Sequence, residues 1–291
     1  MDIWKPDVLY KADLILGEGA RWHAGWQKFL FIDIKGKLIG TCNPANGKVV
    51  TKKISAMPGM LAPAENDQLL VALQGKIVLF NLATGKTINL AKFKEDPENR
   101  SNDGACDALG RLWVGTMNIN AKHGAGNLYC YNGKLVKKIE GTSVSNGICW
   151  SQDNRTLYYI DSFLYHIKAF DYDLATGNIS NERIVVEITE PNTVADGMCI
   201  DSEGMLWVAI WGGACVNRYN PLTGACIGKI EINAPNVTSC AFGGKLMNQM
   251  LITTAKDGLS ADELKKYPHS GSLFMVKLKV TGLPTAPYKQ Q

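Results

Sequence analysis

The sequence predicts an all-β protein, a six-bladed β-propeller around a central channel. Three observations lead there. A phrase made of a polar residue, a glycine, a turn and an apolar strand recurs along the chain. Short strand patterns fill the intervals, about four to a repeat, and no long segment of 3.6-residue period competes with them. The recurrences are spaced at about the length that four short strands and their turns occupy. An open stack of such sheets would expose edges and apolar faces, whereas a ring buries each blade against its neighbours.

Taken in order, residues 8–16 form a strand ahead of the first repeat and are expected to complete the last blade, pinning the ring shut. The first repeat opens with Gly17-Glu18-Gly19-Ala20-Arg21-Trp22, runs into a strand at 29–32, and continues as a hairpin, 38–41 and 49–54, turning at Pro44-Ala45-Asn46-Gly47. The second places Met60 at the polar position, followed by strands 68–73 and 77–81 and a turn at Ala83-Thr84-Gly85. The third is the clearest: Arg100, Ser101, Asn102 and Asp103, closed by Gly104, then a turn at 107–110 and a strand at 112–117. Its hairpin strand, 128–131, ends in Asn132-Gly133, the signal for a two-residue type I′ turn. The fourth and fifth repeats carry Asn146-Gly147 and Asp196-Gly197, with hairpin strands 167–172 and 216–219. The sixth has Ser239 at the polar position, a strand at 250–254 and one helical turn at 260–266. Asp103, Asn146 and Asp196 are 43 and 50 residues apart, and the 85 residues from Glu18 to Asp103 leave room for the Met60 repeat. No domain boundary is expected within residues 1–291.

Composition sets the limits. A hydrophobic fraction of 46% and a charged fraction of 20% are those of a soluble globular protein. The net charge of +4 is spread without runs, which argues against a nucleic-acid or anionic-membrane surface. No apolar run approaches about 18 residues, and the first residues lack a basic segment leading into an apolar core, so neither a membrane span nor a signal peptide is expected. The eight cysteines are scattered, without C-x-x-C or metal spacing. Cys106, Cys149 and Cys199 occupy similar places in their repeats and read as small buried packing residues, reduced thiols of a cytoplasmic protein. His23, His123, His166 and His269 show no zinc spacing.

In a propeller the loops feeding the innermost strands gather at one end of the channel. The repeated polar position therefore brings Glu18, Asp103, Asn146 and Asp196 together at the mouths of those strands, with Met60 and Ser239 completing the circle. Three carboxylates between apolar walls repel one another unless a positive charge lies among them. A hard divalent cation fits, because it takes carboxylate and amide oxygens and water. A single Asp-Gly before a strand is ordinarily a turn, but four aligned positions carry an oxygen ligand while their neighbours are Ser, Ala, Gly or Val. Asp107, Asp153 and Asp201 lie in the following turns and read as structural; Trp113 and Trp207 read as interior packing.

Gly-Glu-Gly-x-x-Trp at 17–22, Asn-Arg-Ser-Asn-Asp-Gly at 99–104, Gly-Thr-Met at 115–117, Ser-Asn-Gly at 145–147, Tyr-Tyr-Ile-Asp-Ser at 158–162, Phe-Asp-Tyr-Asp at 170–173, Asp-Gly-Met-Cys-Ile-Asp at 196–201 and Thr-Ser-Cys-Ala-Phe-Gly-Gly at 238–244 go further. Together they make a chain that resembles the regucalcin (senescence marker protein), gluconolactonase and luciferin-regenerating enzyme family over its whole length. The resemblance implies one divalent metal ion (calcium, manganese, magnesium or zinc, with calcium the expected occupant) and hydrolysis of sugar lactones to aldonic acids. It implies Glu18, Asn146 and Asp196 as metal ligands, Asp196 as the favoured general base with Asp103 as second choice, and Arg100 and Asn102 as ligands of substrate hydroxyls. The family places an acidic residue shortly after Gly-Thr-Met, and this chain has Asn120 there, an uncharged contact that leaves the identity of the sugar open. The expected partner is a small-molecule sugar lactone, with no nucleic acid and no membrane, for a monomer or weak dimer. Two rivals stand beside this reading: a non-catalytic calcium-binding protein of the regucalcin type, and a related propeller esterase.

Overall fold

The computed structural model describes residues 1–290 and is a six-bladed β-propeller. The first four blades are antiparallel sheets of four strands that run outward from the axis in chain order, and the fifth and sixth follow the same order except that each takes its outermost strand from the N-terminal segment. The innermost strands are Gly17–His23, Pro58–Pro63, Asn99–Cys106, Ser145–Trp150, Val194–Ile200 and Val237–Gly243. Each packs against the next and the sixth returns to the first, closing the ring. The second strands, among them Gln68–Leu73, Leu112–Asn118 and Gln249–Thr254, are continuous apolar runs because neighbouring blades cover both their faces. Outer strands such as Val49–Lys53 and Thr87–Lys92 are largely solvent-facing and mix Thr, Asn and Lys with apolar residues. The core divides into six apolar clusters, one at each blade-to-blade interface. Trp113 and Trp207 are fully buried, as expected of interior packing.

The ring closes on the N-terminal segment, as expected. Asp7–Tyr10 pairs antiparallel with Leu273–Lys277 and supplies the outermost strand of the sixth blade, whose other three strands come from beyond residue 236. The expected strand at 8–16 is shorter in the structure and stops at Tyr10. The chain then crosses to the first blade, where Asp33 accepts the backbone N–H groups of Ile15 and Leu16. Asp2–Trp4 is an additional strand, parallel to Cys226–Glu231 at the edge of the fifth blade, anchored where Trp4 lies 5.3 Å from the Trp207 ring. The helical turn is the helix Ala261–Lys266, and Ser260 and Glu263 form its capping box.

Two expectations are corrected. The polar phrases are not loops at strand mouths: they lie inside the innermost strands, at a register shift in every blade, such as Ser101 to Gly104 and Ala195 to Met198. A bulge lets Asp, Asn and Gly enter a strand by releasing one residue from the ladder and re-aiming its side chain. At Asn132-Gly133 the type I′ turn is replaced by a three-residue loop, in which Tyr131 pairs with Leu135 and only Gly133 takes positive φ.

Beyond the last strand, the segment around 281–289 runs across the end of the channel opposite the bulges. Thr281 accepts from Ser202 N–H, Leu283 donates to Ile200, Tyr288 to Pro63 and Lys289 to Gly110. This strap joins the fifth blade to the second and third, on the other side of the ring. It lies over an apolar cavity of about 360 Å3 lined by Cys149, Met198, Cys199 and Phe242, with Arg21 at its inner end.

Candidate functional site

The six bulges aim one residue per blade toward the axis. Glycines follow the polar residue because the next blade's innermost strand comes very close. A Cβ at Gly147 would stand 2.7 Å from the Asp196 carbonyl oxygen, and one at Gly197 would stand 2.8 Å from that of Thr238. The Asn-Gly and Asp-Gly pairs are therefore a packing requirement of the ring as well as a polar display.

Glu18, Arg100, Asn102, Asn146 and Asp196 line one cavity of about 280 Å3 at the bulge end of the channel. Its wall is apolar, with Leu16, Met117, Ile119, Val144, Phe163 and Trp211 around the polar floor. Leu16 and Val144 occupy equivalent places in blades one and four. Each donates its backbone N–H to a carboxylate at the end of the second strand, Asp33 at 3.0 Å and Asp161 at 2.9 Å. The wall is thereby fixed to the sheets beneath it.

The floor carries unfinished chemistry. Asn146 donates its Nδ2 to Ser162 Oγ at 2.9 Å, and Ser162 passes the bond on to the Ala195 carbonyl at 2.7 Å. This uses one of the two Nδ2 hydrogens and orients the amide so that Asn146 Oδ1 is buried without a partner; Asp196 Oδ1 is likewise buried and unpartnered. Buried acceptors ordinarily find donors. Burial, then the charge of Asp103, pushes the Glu18 carboxyl up to about 8. Burial, then Glu18 and Asp103, holds Asp196 well above the usual carboxylate range. Burial pushes Arg100 down to about 10, while Glu18, Asp196 and Asp257 oppose the shift.

These groups fit a hard divalent cation. The donors are all oxygens, two have no other partner, and two carboxylates repel each other for want of a positive charge. Among the described residues no three His, Cys, Asp or Glu side chains group closely enough to hold an ion alone, so the Asn146 amide oxygen is needed to complete a set.

The remaining expected residues divide. Asp103 is not at the aligned polar position. The bulges run from Ser101 to Gly104, Ser145 to Ile148 and Ala195 to Met198, so Asn102 is the counterpart of Asn146 and Asp196. Asp103, one residue further, faces Arg21 with Nη2 at 3.4 Å, accepts from the Gly104 N–H at 2.7 Å and does not line the cavity. Asn120 is exposed on the loop between Ile119 and Ala121, both of which line the cavity while it does not. Of the histidines, His123 packs at a tilt of 39° against Phe163, with ring centroids 4.9 Å apart, and Phe163 lines the cavity while His123 does not. Sequence reasoning missed Arg21, Ser162 and the Lys35–Asp257 ion pair, 2.7 Å long at the cavity rim. Arg21 and Asp257 become meaningful only once blades distant in sequence are adjacent. Ser162 was visible in Tyr-Tyr-Ile-Asp-Ser, but not its bond to Asn146.

Comparison with known proteins agrees with this architecture. Regucalcin of Oryctolagus cuniculus is 36% identical over 282 residues, 94% of each chain. The solved structure of a calcium-binding protein, regucalcin, from Agrobacterium tumefaciens superposes with a TM-score of 0.94 at 28% identity, covering 99% of both chains. A luciferin-regenerating enzyme gives a TM-score of 0.90 at 28% identity, over 98% of this chain and 99% of its own. No helix among the described residues is long and apolar enough to cross a membrane. Residues 16–256 match the model of the SMP-30/Gluconolactonase/LRE-like region, and the chain belongs to that family.

Proposed function

We propose that this protein hydrolyses sugar lactones to the open acids with the help of one divalent cation. The observation that carries the reading is the pair of unpartnered buried oxygens, Asn146 Oδ1 and Asp196 Oδ1, beside Glu18 on the floor of a cavity with an apolar wall. Glu18, Asn146 and Asp196 hold the cation, which when bound supplies Lewis-acid polarisation of an ester carbonyl. Calcium is its expected identity, with manganese, magnesium and zinc as the other candidates.

Asp196 is the general base of this reading. It lines the cavity beside the other residues that would hold the cation, where its carboxylate can accept a proton from an attacking water whose acidity the cation would raise. Asp103 is held by Arg21 and Gly104 and supports the floor instead. Arg100 donates Nη1 to Asn102 Oδ1 at 2.6 Å, and Asn102 donates Nδ2 to the Ser145 carbonyl at 2.8 Å. That chain fixes a guanidinium fork for substrate oxygens. The apolar wall packs against ring carbons and keeps bulk water from the floor. Asn120, exposed on its loop, meets the substrate at the rim only.

The test is acid release from a panel of five- and six-carbon aldonolactones by protein loaded with calcium, manganese, magnesium or zinc. Rates should differ between ions, since an ion that binds well need not polarise well. Full-speed hydrolysis by a chelator-stripped sample would overturn the metal reading. Tight calcium binding with no turnover of any lactone would favour the non-catalytic reading.

A further inference from the structure

We propose that the substrate carries a negatively charged substituent, a carboxylate or a phosphate on the sugar ring, recognised by Arg100. The inference rests on the lactonase reading above and narrows its substrate class. It starts from the charges that line the cavity: Glu18, Lys35, Arg100, Asp196 and Asp257. Lys35 and Asp257 neutralise each other across 2.7 Å at the rim. Glu18 and Asp196 together balance one divalent cation. Asp103, beneath the floor, is answered by Arg21. Arg100 is left over.

Among the described residues Arg100 has no carboxylate within ion-pair distance. Both of its hydrogen bonds leave through Nη1, to the Ser101 carbonyl at 3.0 Å and to Asn102 Oδ1 at 2.6 Å. Its remaining donors, Nε and Nη2, make no bond to the protein. A half-buried guanidinium with a spare planar fork and no carboxylate bonded to it is matched by a planar or tetrahedral anion that accepts two N–H bonds. A hydroxyl pair uses the same fork but only through neutral acceptors, whose bonds are the weaker kind. At about 280 Å3 the cavity is at the small end of ligand pockets, so one sugar ring with one such substituent fills it.

The experiment is calorimetry on the cation-loaded protein with three rings that cannot be hydrolysed as lactones: methyl glucopyranoside, methyl glucopyranosiduronate and methyl glucopyranoside 6-phosphate. At least one anionic ring should bind roughly ten-fold more tightly than the neutral one, as charge-assisted bonds exceed neutral ones. The tighter of the two identifies the substituent. The advantage should shrink with added salt and disappear in Arg100→Gln, while Arg100→Lys keeps part of it. A neutral ring that binds as tightly as both anions overturns the proposal in the native protein alone, whatever the variants do, and so does an advantage that survives Arg100→Gln. Hydrolysis of neutral aldonolactones without preference for acidic ones likewise overturns it and leaves the lactonase reading intact. Anion binding through Arg100 in a protein that opens no lactone supports it and removes the lactonase reading instead.

Discussion

Asn146 occupies the position where two other blades carry a carboxylate, and its orientation is set from behind. Ser162 Oγ accepts a hydrogen bond from Nδ2, so the amide oxygen turns inward beside Asp196. Asp196→Ala should lower lactone hydrolysis by about 10²-fold or more, the usual worth of a positioned base. The circular dichroism spectrum should not change, because the blades are held by their own apolar interfaces; wild-type turnover would sink the assignment. The buried carboxylates also predict a pH signature. Without cation, the folded protein holds the Glu18 proton up to about 8, against 4.5 for an unperturbed glutamate. The folded state therefore binds the extra proton between these values, so this stabilisation is complete below about pH 4.5 and is lost as pH rises through about 8. Asp196 acts in the same direction. Melting temperatures of chelator-treated protein should fall between about pH 5 and pH 8, and those of cation-loaded protein should not, because the cation replaces the proton. A flat cation-free profile would mean that Glu18 is not buried among like charges.

At the scale of the strand, the site was legible as a repeated word but not as a shape. Asp, Asn and Gly disfavour strands, so the word read as a loop, although in the structure it is a bulged strand held between two others. The turn aspartates were legible as structural, but their partners were not. Asp107 accepts from Arg111 Nε at 2.7 Å, Trp113 Nε1 at 3.2 Å and Tyr172 OH at 2.7 Å, and Tyr172 belongs to the next blade. Asp201 repeats the device with Trp207 and Arg218. Replacing Asp107 with Ala leaves Arg111 buried and unpaired, which should cost about 3–5 kcal/mol in chemical denaturation. Cation affinity should stay unchanged, since this turn lies at the strap end of the channel. A loss of affinity comparable to that of Asp196→Ala would show that the two ends are coupled.

At the scale of the molecule, six blades were legible because each interface needs the same apolar strands and each bulge the same small residues. The strand at Asp2–Trp4 was not. It is only three residues long, parallel, and held by Trp4 against Trp207, a contact made across more than two hundred residues of chain. The strap was invisible for a similar reason. Its carbonyl and amide partners are backbone groups of several blades, which leave no mark on its own side chains except at Tyr288, buried against Tyr131. Deleting residues 1–10 should lower the melting temperature more than deleting 281–290, because it removes a blade strand and opens the ring. Equal losses would make the strap as important to closure as the strand.

The pairing of Asp7–Tyr10 with Leu273–Lys277 also has a consequence in time. During synthesis the first of these strands is made early and waits, its ladder unfilled, until more than two hundred and fifty further residues have left the ribosome. A strand waiting beside other copies of the same chain can be taken up by the wrong one, since any sixth blade offers it the same edge. Crowded polysomes and concentrated refolding mixtures should therefore produce reciprocal dimers whose blades are all native but whose ends have been traded. Slow, dilute refolding should give closed single rings from the same material.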